Sequence, residues 1–173
     1  RQRQMCIRDR RIYGELMEGI GVTDSLKQVV ISGDGNINRF YDIAANMMDD
    51  SIQSIQIAPN GVVTEIYPEE SNESSKIDLI NDSDRGEISR YARDNDTVIM
   101  QGPFELKQGG YGIAVRNPVY LEDENGKKSF WGFTIVILKV PEIFSDSVEA
   151  LSNFGYKYSL QKCASPWDDT YEW

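Results

Sequence analysis

The sequence predicts an α+β domain: an antiparallel sheet of about five strands with flanking helices. Three observations predict it. Strand-like segments follow one another through short turns, and short connections favour antiparallel pairing. Amphipathic helical segments interrupt and flank these strands without alternating with each one. The chain has 173 residues, which is one-domain length and enough to bury a core of its own.

The elements follow in order. Residues 11–19 form a short helical candidate that ends in glycines at 19 and 21. Gly33, Asp34 and Gly35 make a loop. Asn36 can cap a helix to about residue 49, whose apolar positions Ile37, Phe40, Ile43, Ala44, Met47 and Met48 share one face. Packing of that face on the sheet is preferred to a dimer contact. Ile55 and Ile57 alternate with Ser54 and Gln56 in a first strand. Pro59-Asn60-Gly61 turns it back, because Asn and Gly tolerate positive φ. Residues 62–67 return as a strand, and Pro68 stops it. Residues 69–76 are polar and read as a loop. Asp82 or Ser83 then caps a helix carrying Ile88, Tyr91 and Ala92 on one face.

Three strands complete the sheet. Residues 97–100 and 104–106 are short pieces separated by a Gly102-Pro103 bend, and Gln108-Gly109-Gly110 is a turn. Residues 111–120 run as a long strand, and residues 123–126 turn it back. Residues 130–140 are the strongest strand, rich in aromatic and β-branched types. Pro141 suits the first turn of a helix running to Gly155, and residues 156–162 start another strand.

Composition removes several classes of function. The chain carries 18 basic and 28 acidic residues, a net −10, with no histidine and two cysteines. Without histidine there is no Ser-His-Asp triad, Cys-His dyad or histidine-ligated zinc. The acidic balance argues against a nucleic-acid binder, which needs a basic face. The longest apolar run, 130–138, falls far short of the ~20 residues of a spanning helix. Residues 1–10 are the exception in charge, with four arginines against Asp9. A basic juxtamembrane or linker arm is one reading. The preferred one is a non-native leader, since Gln4 to Arg10 back-translates to CAG ATG TGT ATA AGA GAC AGR and resembles a sequencing-library adapter. Residues 1–10 are therefore kept out of the fold reading, which leaves 11–173 as a single domain, cut at both ends. Cys163 then stands alone, and no disulfide framework follows.

The candidate chemistry is modest. Glu69-Glu70 and Glu122-Asp123-Glu124 are adjacent carboxylates that read first as solvated turns. Asp82-Ser83-Asp84 lacks the ligand spacing of a calcium loop, and helix capping explains it. Gly109, Gly110 and Gly112 stand between two strands with no helix after them, so a hairpin turn is favoured over a phosphate loop. Neither a metal nor a cofactor is called for. Gly112, Ala114 and Arg116 are more informative. They alternate onto one face of one strand, so two small residues leave space beside a cation. A guanidinium can hold a carboxylate by two parallel hydrogen bonds. Tyr120 lies further along the same face if Pro118 keeps the alternation. Gln101, Tyr111, Asn117 and Tyr67 complete the candidate set of binding residues. Trp131 and Phe133 share one face of the last strand and Phe130 takes the other.

Seven short motifs in order resemble the CHASE domain, a sensory domain of membrane receptors. They are residues 55–63 (IQIAPNGVV), Ile66-Tyr67-Pro68, Arg85 with Tyr91-Ala92-Arg93, Gln101-Gly102-Pro103-Phe104, Gly109 to Gly112, Arg116 to Tyr120, and Phe130-Trp131-Gly132-Phe133. The resemblance implies a PAS-like extracytoplasmic domain that binds a small molecule or peptide. It also implies flanking membrane helices, a possible homodimer, and an output such as a histidine kinase or diguanylate cyclase. It supplies no fixed set of binding residues. A carboxylate-dependent hydrolase and a pure dimerisation domain are the competing readings.

Overall fold

The computed structural model describes residues 2–69 and 77–153. Helix α1 (Gln2–Ser32) and helix α2 (Phe40–Met47) precede strands β1 (Ile52–Pro59) and β2 (Glu65–Tyr67). Helix α3 (Gly86–Asn95) crosses to a meander of β3 (Ile99–Glu105), β4 (Tyr111–Glu122) and β5 (Lys128–Val140). A 3-10 turn (Glu142–Phe144) leads into α4 (Ser145–Asn153). The sheet order is β2-β1-β5-β4-β3, with every pair antiparallel. The α+β, PAS-like expectation therefore holds.

Helix α1 corrects the sequence reading most. It does not stop at Gly19 but runs on to Ser32. Its sheet-facing positions are Ile12, Leu16, Gly19, Thr23, Leu26 and Val30, spaced by four and three residues. Gly19 is a point of close approach, since a Cβ there would lie 2.6 Å from Leu138 Cδ1. Burial of this stripe outweighs the roughly 1 kcal/mol that each interior glycine costs. The helix ends in a Schellman motif. Gly35 N–H bonds Val30 O at 2.9 Å and Asp34 N–H bonds Ile31 O at 3.1 Å, with Asp34 at φ 50°.

Other boundaries also move. Asn36 does not cap α2; a turn carries the chain to Arg39 (φ 62°), and the helix begins at Phe40. Phe40 and Ala44 face the core as expected. The turn at Asn60 (φ 55°) and Gly61 (φ 83°) has the expected positive angles. β2 is only Glu65–Tyr67, and Val62 instead bridges Asp78. The two pieces around Gly102-Pro103 form one strand, β3, with an irregularity between Gln101 and Phe104. Neither Asp82 nor Ser83 caps α3, whose N-cap is Arg85 with no side-chain cap bond; Asp82 Oδ1 instead accepts the N–H groups of Asp84 and Arg85, both at 2.9 Å, in the turn just ahead of the helix. The chain after Pro141 first makes the 3-10 turn, and α4 extends to Asn153. The polar loop from Glu70 to Lys76 and the strand expected at 156–162 lie outside the described residues.

Two apolar layers flank the sheet. One packs Leu26, Phe40, Ile52, Ile55, Val115, Val136 and Leu138 beneath α1 and α2. The other holds Val63, Ile66, Leu79, Ala92, Ile99, Phe133 and Ile135. Trp131 and Phe133 do not share a face. Val119 pairs with Gly132 and Tyr120 with Phe130, which leaves Trp131 as the extra residue of a bulge. Trp131 therefore points to the α1 layer, where its Nε1–H donates to Gly35 O at 3.2 Å. Phe133 lies in the other layer, its ring 5.2 Å from that of Phe130.

Gly132 has φ 153°, and a Cβ on it would collide with the Ala58 carbonyl. Gly132→Ala is expected to lower stability by about 2–3 kcal/mol. Gly14 and Gly21 in α1 have open space where a Cβ would stand. Alanine there is expected to raise stability by about 0.5–1 kcal/mol each. Urea unfolding of the three variants checks both signs.

Candidate ligand-binding cavity

The sheet face opposite α1 carries a cavity of about 650 Å³. Its floor follows from the ladder. Gln56, Ile135 and Arg116 form one row across β1, β5 and β4, and Ser54, Ile137, Ala114 and Gln101 form the next. Strand parity puts these side chains on one face. Ala114 leaves its space open. The space beside Gly112 is taken by Leu106, whose Cδ2 would lie 2.8 Å from a Cβ there. Val63, from the β1–β2 connection, and Ile77, Leu79, Asp84 and Arg85, from the chain between β2 and α3, also line the cavity. At the hairpin end, Gln53 of β1 donates its Nε2–H to Gln108 Oε1 of the β3–β4 turn at 3.1 Å. Gly109 (φ 93°) and Gly110 (φ 79°) form that turn, as expected.

Arg116 is the unusual group. Its side chain lines the cavity, yet the residue is only 4% exposed. Its Nη1 donates to Gln101 Oε1 at 2.7 Å. Gln101 is fixed in turn, because its Nε2 donates to Asp84 O at 2.9 Å. The ion pairs of the described residues are Arg39–Asp42, Arg85–Asp82 and Arg93–Asp94, so among the described residues no carboxylate is paired with Arg116. Burial pushes its pKa down to about 10, the nearby Arg85 cation pushes the same way, and Asp82 opposes both. Arg85 itself reaches Asp82 Oδ2 at 3.2 Å.

Two carboxylates hold the chain beside the cavity. Asp78 lies below its ordinary pKa, first through the hydrogen bond from the Asn81 side chain. Asp82 is also lowered, first through the Arg85 N–H. A depressed carboxylate stabilises the fold above its unfolded pKa of about 4, and the effect is lost as pH falls through the lower folded value. Below about pH 4, the amide resonances of Ile80, Asn81, Asp84 and Arg85 are expected to shift together. Their independence of pH would remove these carboxylates as anchors.

The other candidate residues fall in different places. Tyr120 is on the Arg116 face but beyond the cavity, with its hydroxyl bonded to Arg93 O and its ring against Phe130. Asn117 faces the opposite layer, where its Nδ2 donates to Asp24 Oδ1 at 2.7 Å and to Thr23 Oγ1 at 3.3 Å. Tyr111 is half exposed at the start of β4. Tyr67 packs against the α1–α2 layer, near Tyr41. Ser54, Gln56 and Arg85 line the cavity and are absent from the sequence-derived set. The signal for the first two was present, as two polar residues at alternate positions of an apolar strand. Asp123 serves the turn after β4, accepting the N–H groups of Asn125 and Lys127. Among the described residues, no cluster of three or more acidic or cysteine side chains has metal-binding geometry.

A ligand-sized cavity on one sheet face and a long helix on the other define a sensor-type binding domain. The CHASE domain family matches residues 39–162, so the chain belongs to that family of extracellular sensor domains. No curated protein matches it. Among solved structures, an extracellular ligand binding receptor from Desulfohalobium retbaense DSM5692 is similar, with a TM-score of 0.59 and 11% identity. The match covers 82% of this chain and 26% of that one. The chain thus spans about a quarter of that receptor's length, and the likeness is one of fold. No helix of the described residues is long and apolar enough to cross a membrane.

Arg116 and Asn117 are neighbours with opposite roles, one facing the cavity and one tied to α1. Arg116→Met is expected to leave the ligand-free domain as stable or more stable, by about 1 kcal/mol, because it removes a buried charge that has no counterion. Asn117→Ala is expected to cost about 1–2 kcal/mol through its lost hydrogen bonds. Urea midpoints measured without added ligand distinguish them. A large loss for Arg116→Met would make that arginine structural.

Proposed function

We propose that this chain is the ligand-binding sensor domain of a transmembrane signalling receptor, on the extracytoplasmic side of the membrane. The supporting observation is the cavity itself, where a buried guanidinium faces open space with one neutral partner. Buried charges are otherwise paired. Arg116 and Gln101 are the proposed ligand contacts from the sequence-derived set. Residues 11–173 form the domain, membrane helices flank it, and it acts as a homodimer. The output is a cyclase, a phosphodiesterase or a histidine kinase. Sequencing of the native locus tests both the receptor architecture and the foreign origin of residues 1–10.

Signalling requires that the ligand favour one arrangement of the domain over another. A physical route is present. Arg116 sits beside Asn117 on β4, and Asn117 holds α1 at Thr23 and Asp24. Near its other end, α1 meets the last helix, where Glu15 accepts the N–H and hydroxyl of Ser147 at 3.1 and 2.8 Å. A shift of β4 therefore bears on both α1 and α4.

A thermal-shift screen of a broad metabolite library tests the reading. At least one compound is expected to raise the unfolding midpoint, and Ala114→Phe, which fills the cavity floor, is expected to abolish that rise. A shift that survives Ala114→Phe, with the circular dichroism unchanged, would place binding elsewhere.

A further inference from the structure

We infer that the ligand is an amphipathic monocarboxylate, held by Arg116 and Arg85 at one end and by the apolar floor along its body. This rests on the reading of the cavity as the sensor's ligand site. The charge count selects the anion. A guanidinium has five N–H donors, and Arg116 spends one Nη1 bond on the neutral Gln101. None of its nitrogens is both fully buried and unsatisfied, so the remaining donors open onto the cavity. Arg85 is offset by Asp82, whereas the buried Arg116 has no ion-pair partner among the described residues, so this end holds one buried cation without a bound carboxylate. One spare charge suits a monoanion. The exposed rim carries Asp84 and Glu105 against Lys107, a net negative edge that disfavours a dianion such as a phosphate monoester.

Shape and surface select the rest. From the Arg116 row, the floor continues over Ile135 and Ile137, and Leu79 and Val63 also line the cavity. These walls favour a hydrocarbon body. Ser54 and Gln56, linked to each other at 3.1 Å, offer neutral hydrogen-bonding groups along it. The guanidinium plane and a carboxylate fit by paired parallel hydrogen bonds. A primary amide of the same shape brings no charge to the buried cation, so the site separates acid from amide.

Isothermal titration of the full 173-residue chain with octanoate, isocaproate and hydrocinnamate, each beside its primary amide, tests this. At least one acid is expected to bind at least tenfold tighter than its amide. Arg116→Gln and Arg85→Gln, each checked for fold by circular dichroism, are each expected to weaken that acid at least tenfold. Equal binding of acid and amide, or acid binding untouched in both variants, overturns the inference. So does the absence of acid binding at millimolar concentration. If a library compound of other charge then binds and is lost in Ala114→Phe, the carboxylate fails while the sensor reading stands. If no compound occupies the cavity, both fail together.

Discussion

The parity of β5 is the constraint on which the domain depends. This strand pairs with β1 on one side and β4 on the other, and it joins the two halves of the sheet. The bulge at Trp131 and the extended Gly132 set which residues face which layer. Beyond the bulge, Thr134, Val136 and Leu138 face α1, whereas Ile135 and Ile137 face the cavity. A one-residue slip would exchange these sets. It would place isoleucines against Thr23 and present Thr134 to the cavity. The same register sets Arg116 opposite Ile135, so the site's electrostatics and the core's packing come from one geometric choice.

Much of this was legible in the sequence, for identifiable reasons. Strands with strong β-branched and aromatic runs, and turns with Asn-Gly or paired glycines, signal themselves locally. The alternation of Ala114 and Arg116 was likewise enough to put a cation beside space, although Leu106 fills the space at Gly112. What was illegible depended on partners distant in sequence. The stripe of α1 is interrupted by Gly19 and Thr23, and their meaning lies in Leu138 and Thr134 across the interface. The bulge at Trp131 is invisible to a rule of strict alternation, so Trp131 and Phe133 were assigned one face. Asn117 looks like a neighbour of the site from its position, yet parity sends it to α1.

The polar groups divide by the same parity. On the α1 side they are satisfied internally: Thr134 donates to Thr23 O at 2.9 Å and Thr23 to Ile20 O at 2.7 Å. On the cavity side Arg116 is left with a single neutral partner. Buried polar networks rigidify a fold when complete and are costly when they are not. The domain thus has a finished face and an unfinished one. A group that completed the second face would bind the folded chain and not the unfolded one, which would link occupancy and stability by mass action.

Helix α1 adds a mechanical consequence. It is one unbroken rod from Gln2 to Ser32, and its bond to β4 is made at Thr23 and Asp24. At about 1.5 Å per residue, Ile12, the first of its sheet-facing positions, lies roughly 17 Å from that bond. A tilt of about two degrees there moves Ile12 by roughly half an ångström on the same geometry. Stiffness converts angle into distance, so a displacement too small to disturb the core is multiplied where the helix leaves the sheet.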